Sequence, residues 1–392
     1  MIKQETIDII HATVPVLEKY GETISKHFYK RMFERHPELK NIFNMTHQAK
    51  GDQPRVLANA ILQYAKHIDK LEMLNGTVES IAQKHTSLSI TPEMYDIVGE
   101  NLLAAIKEVL GDAATDDIIN AWAEAYGVLA DILINREEEI YHTKEQEKGG
   151  FRGIKEFIVD KKIKESESIT SFYLKPYDNK GIPDFIPGQY IAISLKIDEG
   201  HLHTRNYSLS DAPNEEYLRI SVKKEGYHPK GIVSNYLHDH VNVGDKIQIG
   251  IPAGVFTLKK GKHPILLISG GVGITPLISM YKVAKEQGRK VDFIQCAKNS
   301  NLHAFKTETH KDSTIIYEEP LEGDSFDHKG SINKEVIKPL LNKETEVYFC
   351  GSKKFMENVL QILQDLGVDE NKIHYEFFGP SEVLQNKHET TA

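Results

Sequence analysis

The first third of the chain carries apolar residues at helical spacing. Ile24, Phe28 and Met32 mark one stripe, and Val56, Leu57, Ala60, Ile61 and Tyr64 mark another. Steps of three and four residues place such positions on one helix face. Val78, Ile81, Ala82 and His85 form a further stripe. Thr91-Pro92 then opens a helix carrying Tyr95, Val98, Leu102 and Ile106. A capping hydroxyl ahead of a proline at the first helical position is the expected start signal. Ile119, Trp122, Tyr126, Ala130, Leu133 and Glu137 predict the last and longest helix.

After that the period changes. HTKEQEKGGFRG is charged and glycine-bearing, without periodicity, and reads as a linker. YIAISLKI, YLRISVKK and KIQIGI alternate or run with β-branched residues between Pro, Gly, Asn and Asp turns, which predicts a small antiparallel barrel. PILLIS reads as a buried parallel strand. VDFIQCA, STIIYEE and EVYFCGS follow, with helical stretches such as KFMENVLQILQDLG between them. This alternation predicts an open doubly wound sheet. The expected architecture is multidomain α and α/β: an all-α unit over 1–142, a linker over 143–152, an antiparallel β-barrel over 153–260 and an α/β domain over 261–392.

Composition narrows the function. A chain of 392 residues exceeds one ordinary core. A net charge of -9 argues against nucleic acid or an anionic membrane as partner. MIKQETIDII lacks an apolar run of the signal-peptide type, and the most apolar stretch, around PILLISGGVGITPLISM, is broken by glycines and a proline. With two cysteines, Cys296 and Cys350, there are too few thiolates for an all-cysteine iron–sulfur cluster and no disulfide framework. A cytoplasmic protein is expected. If it moves electrons, it does so with organic cofactors or haem.

Three polar residues interrupt the helical stripes: His85, Tyr95 and Glu137. Taken singly, a histidine on an apolar stripe is most often a satisfied core residue, a tyrosine there packs, and Glu137 in NREEE is solvated. Together they offer a histidine held by a tyrosine and a carboxylate, which suits a metal ligand. In the barrel, Arg205-Asn206-Tyr207-Ser208 supplies a guanidinium fork for phosphate and, on the same strand face, a ring for stacking. Tyr190 begins a strand after a Pro-Gly turn, and GIVSN, containing Ser234, opens a short helix whose free N–H groups suit a pyrophosphate. In the last region Gly270-Gly271-Val272-Gly273-Ile274-Thr275-Pro276 joins a strand to a helix at the crevice where open sheets bind ligands. VDFIQCA ends without an acidic residue, so NADH and NADPH both remain open. The terminal EFFGP offers an aromatic cover for a flat ring or simple edge packing.

In order along the chain, HFYKRMF, HPELKNIFN, GDQ, IAQKHTS, YDIVGENLL, WAEAYGVLADILINRE, RNYS, GGVGITP, CGS and EFFGP resemble the motifs of the flavohaemoglobins. The resemblance implies a globin carrying haem b, an FAD-binding barrel and an NAD(P)-binding α/β domain. It implies a nitric oxide dioxygenase that turns NO and O2 into nitrate with electrons from NAD(P)H, acting as a monomer. By that resemblance His85 would be the proximal iron ligand, with Tyr95 and Glu137 behind it. Tyr29 and Gln53 would face the oxygen-binding side, Phe28, Phe43 and Leu57 would wall the pocket, and Lys84 would face a propionate or the flavin domain. Tyr190, Arg205, Asn206, Tyr207, Ser208, Ser234, Glu376, Phe377, Phe378, Gly379 and Pro380 would hold FAD. Gly271, Val272, Gly273, Ile274, Thr275 and Pro276 would hold the nicotinamide dinucleotide, with Cys350 and Gly351 close to its reactive ring. Asn206 stands where the family commonly has Gln, and Ser352 where it commonly has Pro. Two other functions share this architecture: an oxygen-binding or sensing globin whose reductase keeps the iron ferrous, and an NAD(P)H-dependent flavin, quinone or ferric reductase.

Overall fold

A computed structural model describes residues 2–43, 51–198, 201–226, 231–309 and 313–379. The chain divides into two compact units. The first is built on the residues up to Glu147, with the short segments Phe151–Ile154 and Ser194–Arg205, and the second on the remainder.

The first unit is helical: α1 (Gln4–Arg35), α2 (Asp52–Lys66), α3 (Asn75–Leu88), α4 (Pro92–Leu110) and α5 (Asp116–Gln146). The sequence pattern marked only the second half of α1. The helix starts at Gln4 and runs through Pro15, because Ile10 and Leu17 pack into the same core as Ile24, Phe28 and Met32. At 32 residues α1 is slightly longer than α5, at 31, which had been expected to be the longest. Thr91 occupies the N-cap of α4, but its hydroxyl makes no capping bond. The side-chain cap is found on α5, where Thr115 accepts from the Ile118 N–H. α5 also runs to Gln146, into the stretch that reads as a linker from sequence. Arg152 folds back on it, its guanidinium 2.7 Å from Glu138 and 3.1 Å from Glu145.

After the helices come the strands β1 (Ile154–Lys164), β2 (Ile169–Pro176), β3 (Tyr190–Asp198), β4 (His201–Ser208), β5 (Leu218–Lys223) and β6 (Lys246–Gly250), in the sheet order β4-β3-β6-β1-β2-β5. Neighbours β1–β2 and β2–β5 are antiparallel. Just past β4, Leu209 bridges to Ile220 of β5 and the Ser210 N–H donates to the Arg219 carbonyl at 2.8 Å. The two sheet edges thereby meet and the sheet closes, which removes exposed strand edges. Phe157, Phe172, Leu174, Ile191, Ile193, Ile220 and Ile249 are fully buried inside. A short helix, α6 (Ile232–Asp239), precedes β6.

The remaining strands are β7 (Ile265–Gly270), β8 (Val291–Ala297), β9 (Ser313–Tyr317), β10 (His328–Lys329), β11 (Glu346–Cys350) and β12 (Ile373–Tyr375), parallel and ordered β10-β9-β8-β7-β11-β12. Each face is covered. Ile265 and Leu267 pack beneath α7 (Ile274–Glu286), while Leu266 and Ile268 pack beneath α8 (Lys353–Asp365). This two-sided burial is why PILLIS reads as an unbroken apolar run. Among the described residues no helix is long and apolar enough to cross a membrane.

One packing detail of the helical unit is testable. A Cβ added at Gly99 of α4 would lie 2.6 Å from the Tyr126 ring on α5. Alanine in a helix ordinarily gains about 1 kcal/mol over glycine. Overpacking costs about 1–3 kcal/mol and should outweigh it. Gly99→Ala is therefore expected to lower the denaturant midpoint of the helical unit, followed by fluorescence of the single tryptophan, Trp122. A midpoint equal to or above that of the parent protein would show that this contact is not tight.

Candidate functional site

Three helices converge on Glu137, a carboxylate only 4% exposed. A buried carboxylate needs donors. Tyr95, in the first turns of α4, donates its phenolic proton to Glu137 Oε1. His85, in the last turn of α3, places Nδ1 2.9 Å from the same Glu137 oxygen and 2.8 Å from the Tyr95 hydroxyl. Burial, reinforced by the Glu137 charge, pushes the Tyr95 phenol well above its ordinary pKa, so it stays a donor. The His85 Nδ1–H is thus held by the carboxylate. The other ring nitrogen, Nε2, has no hydrogen-bond partner among the described residues. An imidazole anchored at one nitrogen and open at the other is the donor arrangement that an axial haem ligand requires. The residues present fit that group.

Residues that sequence reasoning passed over lock this arrangement. The Tyr126 hydroxyl donates to the Tyr95 carbonyl at 2.6 Å while its ring sits on Gly99. Tyr126 and Glu137 share α5, so this bond sets the offset of α5 against α4. Arg136 forks onto Glu79 at 2.7 and 3.2 Å, and the Tyr141 hydroxyl donates to the Thr86 carbonyl at 3.2 Å, both tying α5 to α3. Burial pushes the Tyr141 phenol up to about 12. The available signal was Gly99 itself: a glycine inside a helix often marks a close approach.

A second group gathers on α1 and just beyond it. The Tyr29 ring lies 4.9 Å from Phe28, 5.8 Å from Phe33 and 5.7 Å from Phe43. Phe33 was not among the expected pocket residues. Leu57 packs partly buried on the same core. Gln53, in the first turn of α2, has a buried Oε1 with no hydrogen-bond partner among the described residues. Such an orphan marks a position that needs a further polar group. Lys84 stands on the exposed side of α3.

In the barrel, Arg205 and Tyr207 are half-buried and alternate with exposed Asn206, as expected for residues sharing one strand face, and Ser208 is buried. The Arg205 guanidinium donates to the Thr204 carbonyl at 2.7 Å. Tyr190 pairs with Ala253 through two 2.9 Å backbone bonds, and a Cβ at Gly254 would strike its ring at 2.9 Å. Ser234 in α6 donates to the Gly231 carbonyl at 3.3 Å. At the terminus, His374 and Tyr375 lie in the edge strand β12 and Phe377 packs on the sheet core, whereas Phe378 is 42% exposed. Glu376 is half-buried, and its carbonyl accepts from the Cys350 thiol at 3.4 Å. Gly379 is described; Pro380 lies outside the described residues.

The glycine run splits into two roles. Gly271 has a φ of 55°, and nothing lies within 4 Å of where its Cβ would be. Gly273 is the reverse: a Cβ there would meet the Cys350 carbonyl at 2.1 Å. The turn therefore crosses close over β11 where the strand order reverses, and leaves Gly271 open. Val272, Ile274, Thr275 and Pro276 complete the turn into α7. The Thr275 hydroxyl donates to the Val272 carbonyl at 3.1 Å, and Pro276 sits in the first turn, where its missing N–H leaves no bond unmade. A crevice here is lined by Ser269, Gly271, Ile274, Gln295, Cys296 and His303. Gln295 and His303 were not expected; they hold each other at 2.6 Å, and the other His303 ring nitrogen lies 2.9 Å from the Tyr317 hydroxyl. Burial raises the Cys350 thiol far above its ordinary pKa, which keeps it protonated. Ser352 caps α8 by accepting from the Phe355 N–H, which gives the serine at this position a structural use.

Residues 26–133 match the Globin family, 156–258 the Oxidoreductase FAD-binding domain and 267–361 the Oxidoreductase NAD-binding domain. The flavohemoprotein of Halalkalibacterium halodurans is 49% identical over 98% of both chains. That of Bacillus subtilis is 47% identical over 97% of this chain and 98% of its own. The crystal structure of a flavohemoglobin from Malassezia yamatoensis with bound FAD and heme, 28% identical, superposes with a TM-score of 0.84 over 96% of this chain and all of its own. The FAD/NAD-binding domain of nitric oxide dioxygenase from Vibrio cholerae, 35% identical, covers 58% of this chain and 99% of its own, with a TM-score of 0.54. With its helical globin unit, its closed antiparallel sheet and its parallel nucleotide-binding sheet in one chain, the protein belongs to the flavohaemoglobin family of oxidoreductases.

Proposed function

We propose that this protein is a nitric oxide dioxygenase: it combines NO with O2 to give nitrate, using haem b, FAD and NAD(P)H. The observation that carries the reading is the buried bond between His85 Nδ1 and Glu137, seconded by Tyr95. A carboxylate drawing on the Nδ1 proton makes the imidazole a stronger electron donor through Nε2. An oxygen store, which must release its ligand unchanged, has no use for that push. When bound, the nicotinamide supplies a hydride, the flavin divides it into single electrons, and the haem supplies the iron at which oxygen and NO combine.

The chain's own residues bind and orient. His85 would hold the iron through Nε2. Tyr29, set among Phe28, Phe33 and Phe43, whose rings exclude water, would supply a phenolic donor toward the bound gas. Gln53, whose buried amide oxygen has no partner among the described residues, would add an acceptor. Arg205 and Ser208 would hold the flavin nucleotide, with Tyr190, Tyr207 and the exposed Phe378 supplying aromatic contacts to it. The open backbone at Gly271 admits the nicotinamide pyrophosphate. The proposed enzyme works as a cytoplasmic monomer on dissolved gases.

Three outcomes test the reading. The holoprotein with NAD(P)H should consume NO rapidly on an NO electrode only when O2 is present, with nitrate as product. Consumption that ignores O2, or reduction of quinone or ferric chelate alone, would point to one of the alternative functions. Glu137→Gln should lower the iron–histidine stretching frequency in the ferrous resonance Raman spectrum and slow NO turnover by roughly 10- to 100-fold; an unmoved frequency removes the proposed push. Arg205→Ala should purify with clearly less flavin per haem by absorbance, and a full flavin content would contradict the barrel assignment.

A further inference from the structure

A buried ionic cluster lies where the barrel meets the nucleotide lobe of the second unit, apart from the groups given roles above. Arg219 of β5 has a side chain 2% exposed. Its guanidinium donates to the Ser210 carbonyl from Nε at 3.1 Å, lies 3.3 Å from Asp211 Oδ2 and reaches Glu308 Oε1 at 3.0 Å. Lys282 of α7 bridges the same two carboxylates, Asp211 and Glu308. The Tyr217 hydroxyl adds a bond to Asp211 at 3.1 Å. Two cations and two anions are in direct contact here, and a third carboxylate, Glu165, held by the Ser171 hydroxyl at 2.6 Å, lies within electrostatic reach of Arg219, Lys282 and Glu308. Arg219 also lies 5.0 Å over the ring of Phe305, a buried residue whose backbone φ is 59°. A bulky side chain in the left-handed region is strained and persists only where its surroundings hold it.

The membership of the cluster is what matters. Asp211 and Arg219 belong to the barrel, and Asp211 follows closely on the Arg205-Asn206-Tyr207-Ser208 run. Lys282 and Glu308 belong to the nucleotide lobe, and Lys282 sits on the helix opened by the glycine turn. Buried ion pairs are poor stabilisers compared with apolar packing; their better-attested use is to fix one geometry. We propose that Asp211, Arg219, Lys282 and Glu308 form a clamp that fixes the spacing between the flavin-binding strand and the nicotinamide-binding turn, which makes Lys282 and Glu308 positioning residues for flavin reduction. The inference rests on the reading that these two elements hold those nucleotides. In that reaction a hydride, carrying two electrons, passes from the reduced nicotinamide to the flavin, so the one is oxidised as the other is reduced. Such a transfer is sensitive to misplacement on the scale of an ångström.

The test uses Lys282→Met/Glu308→Gln, which leaves Arg219 and Asp211 as a balanced pair and removes both lobe-side charges. Across the same junction the Glu167 N–H donates to the Asn301 carbonyl at 2.9 Å. In peptide-resolved hydrogen exchange of the full chain, Glu167 should lose protection by about tenfold or more while the β2–β5 ladder keeps its own. In stopped flow, the limiting rate of flavin reduction by NADH or NADPH should fall about tenfold or more. The half-saturating nicotinamide concentration should shift by less than about threefold, since both binding elements stay intact. Lys282→Arg, which keeps the bridge, should retain the parent rate. An unchanged limiting rate in the double variant overturns the clamp whether or not Glu167 loses protection. Parent protein whose flavin neither nicotinamide reduces would instead overturn the functional reading beneath it.

Discussion

The helical unit is organised by the desolvation of one carboxylate. Glu137 is buried on α5, and removing a single partner from a buried charge costs about 3–5 kcal/mol. Its donors come from two other helices, His85 at the end of α3 and Tyr95 at the start of α4. Satisfying the charge therefore fixes three helices at once. It also consumes one nitrogen of His85 and leaves the other without a partner among the described residues. The ionisable group that makes folding harder is the same group that makes the imidazole useful. Tyr126, resting on Gly99 and bonded to the Tyr95 backbone, extends the constraint along the α4–α5 seam.

The second unit solves a different problem, the close approach of backbone to backbone. Gly273 lets the turn cross the Cys350 carbonyl at a distance no side chain would permit, and this places the first turn of α7 at the reversal of strand order. Gly254 gives room to the Tyr190 ring in the same way. The barrel closes through Leu209 and Ile220, directly beside Arg219 and Asp211. Closure and the ionic cluster are thus built from the same few residues, so the end of β4 cannot shift without disturbing both.

Much of this was legible in the residues. Period predicted the helices, and β-branched runs predicted β3, β5, β6, β7, β8, β9 and β11. Both short strands of the parallel sheet, β10 and β12, were missed, because two or three residues carry no period. The start of α1 was missed because Pro15 lies inside it, and the end of α5 because its last turns are polar and are held by Arg152 from outside the helix. Thr91 carried the right signal for a helix start, yet its hydroxyl makes no capping bond, so the start of α4 is set without it.

By itself the sequence determined which residues could do chemistry: an imidazole, a phenol and a carboxylate on apolar stripes, an arginine fork in a strand, and glycines between a strand and a helix. Those features are local and repeat at spacings that a linear reading can detect. The residues had already grouped His85 with Tyr95 and Glu137; only the tertiary structure decided that both partners meet one and the same oxygen of Glu137, that Tyr126 sets their offset, that Gln53 keeps a buried oxygen unpaired among the described residues, and that Asp211 and Arg219 meet Lys282 and Glu308. These pairings join residues tens of positions apart. They are selected by the need to satisfy each buried polar group within reach, and reach exists only once the chain is folded.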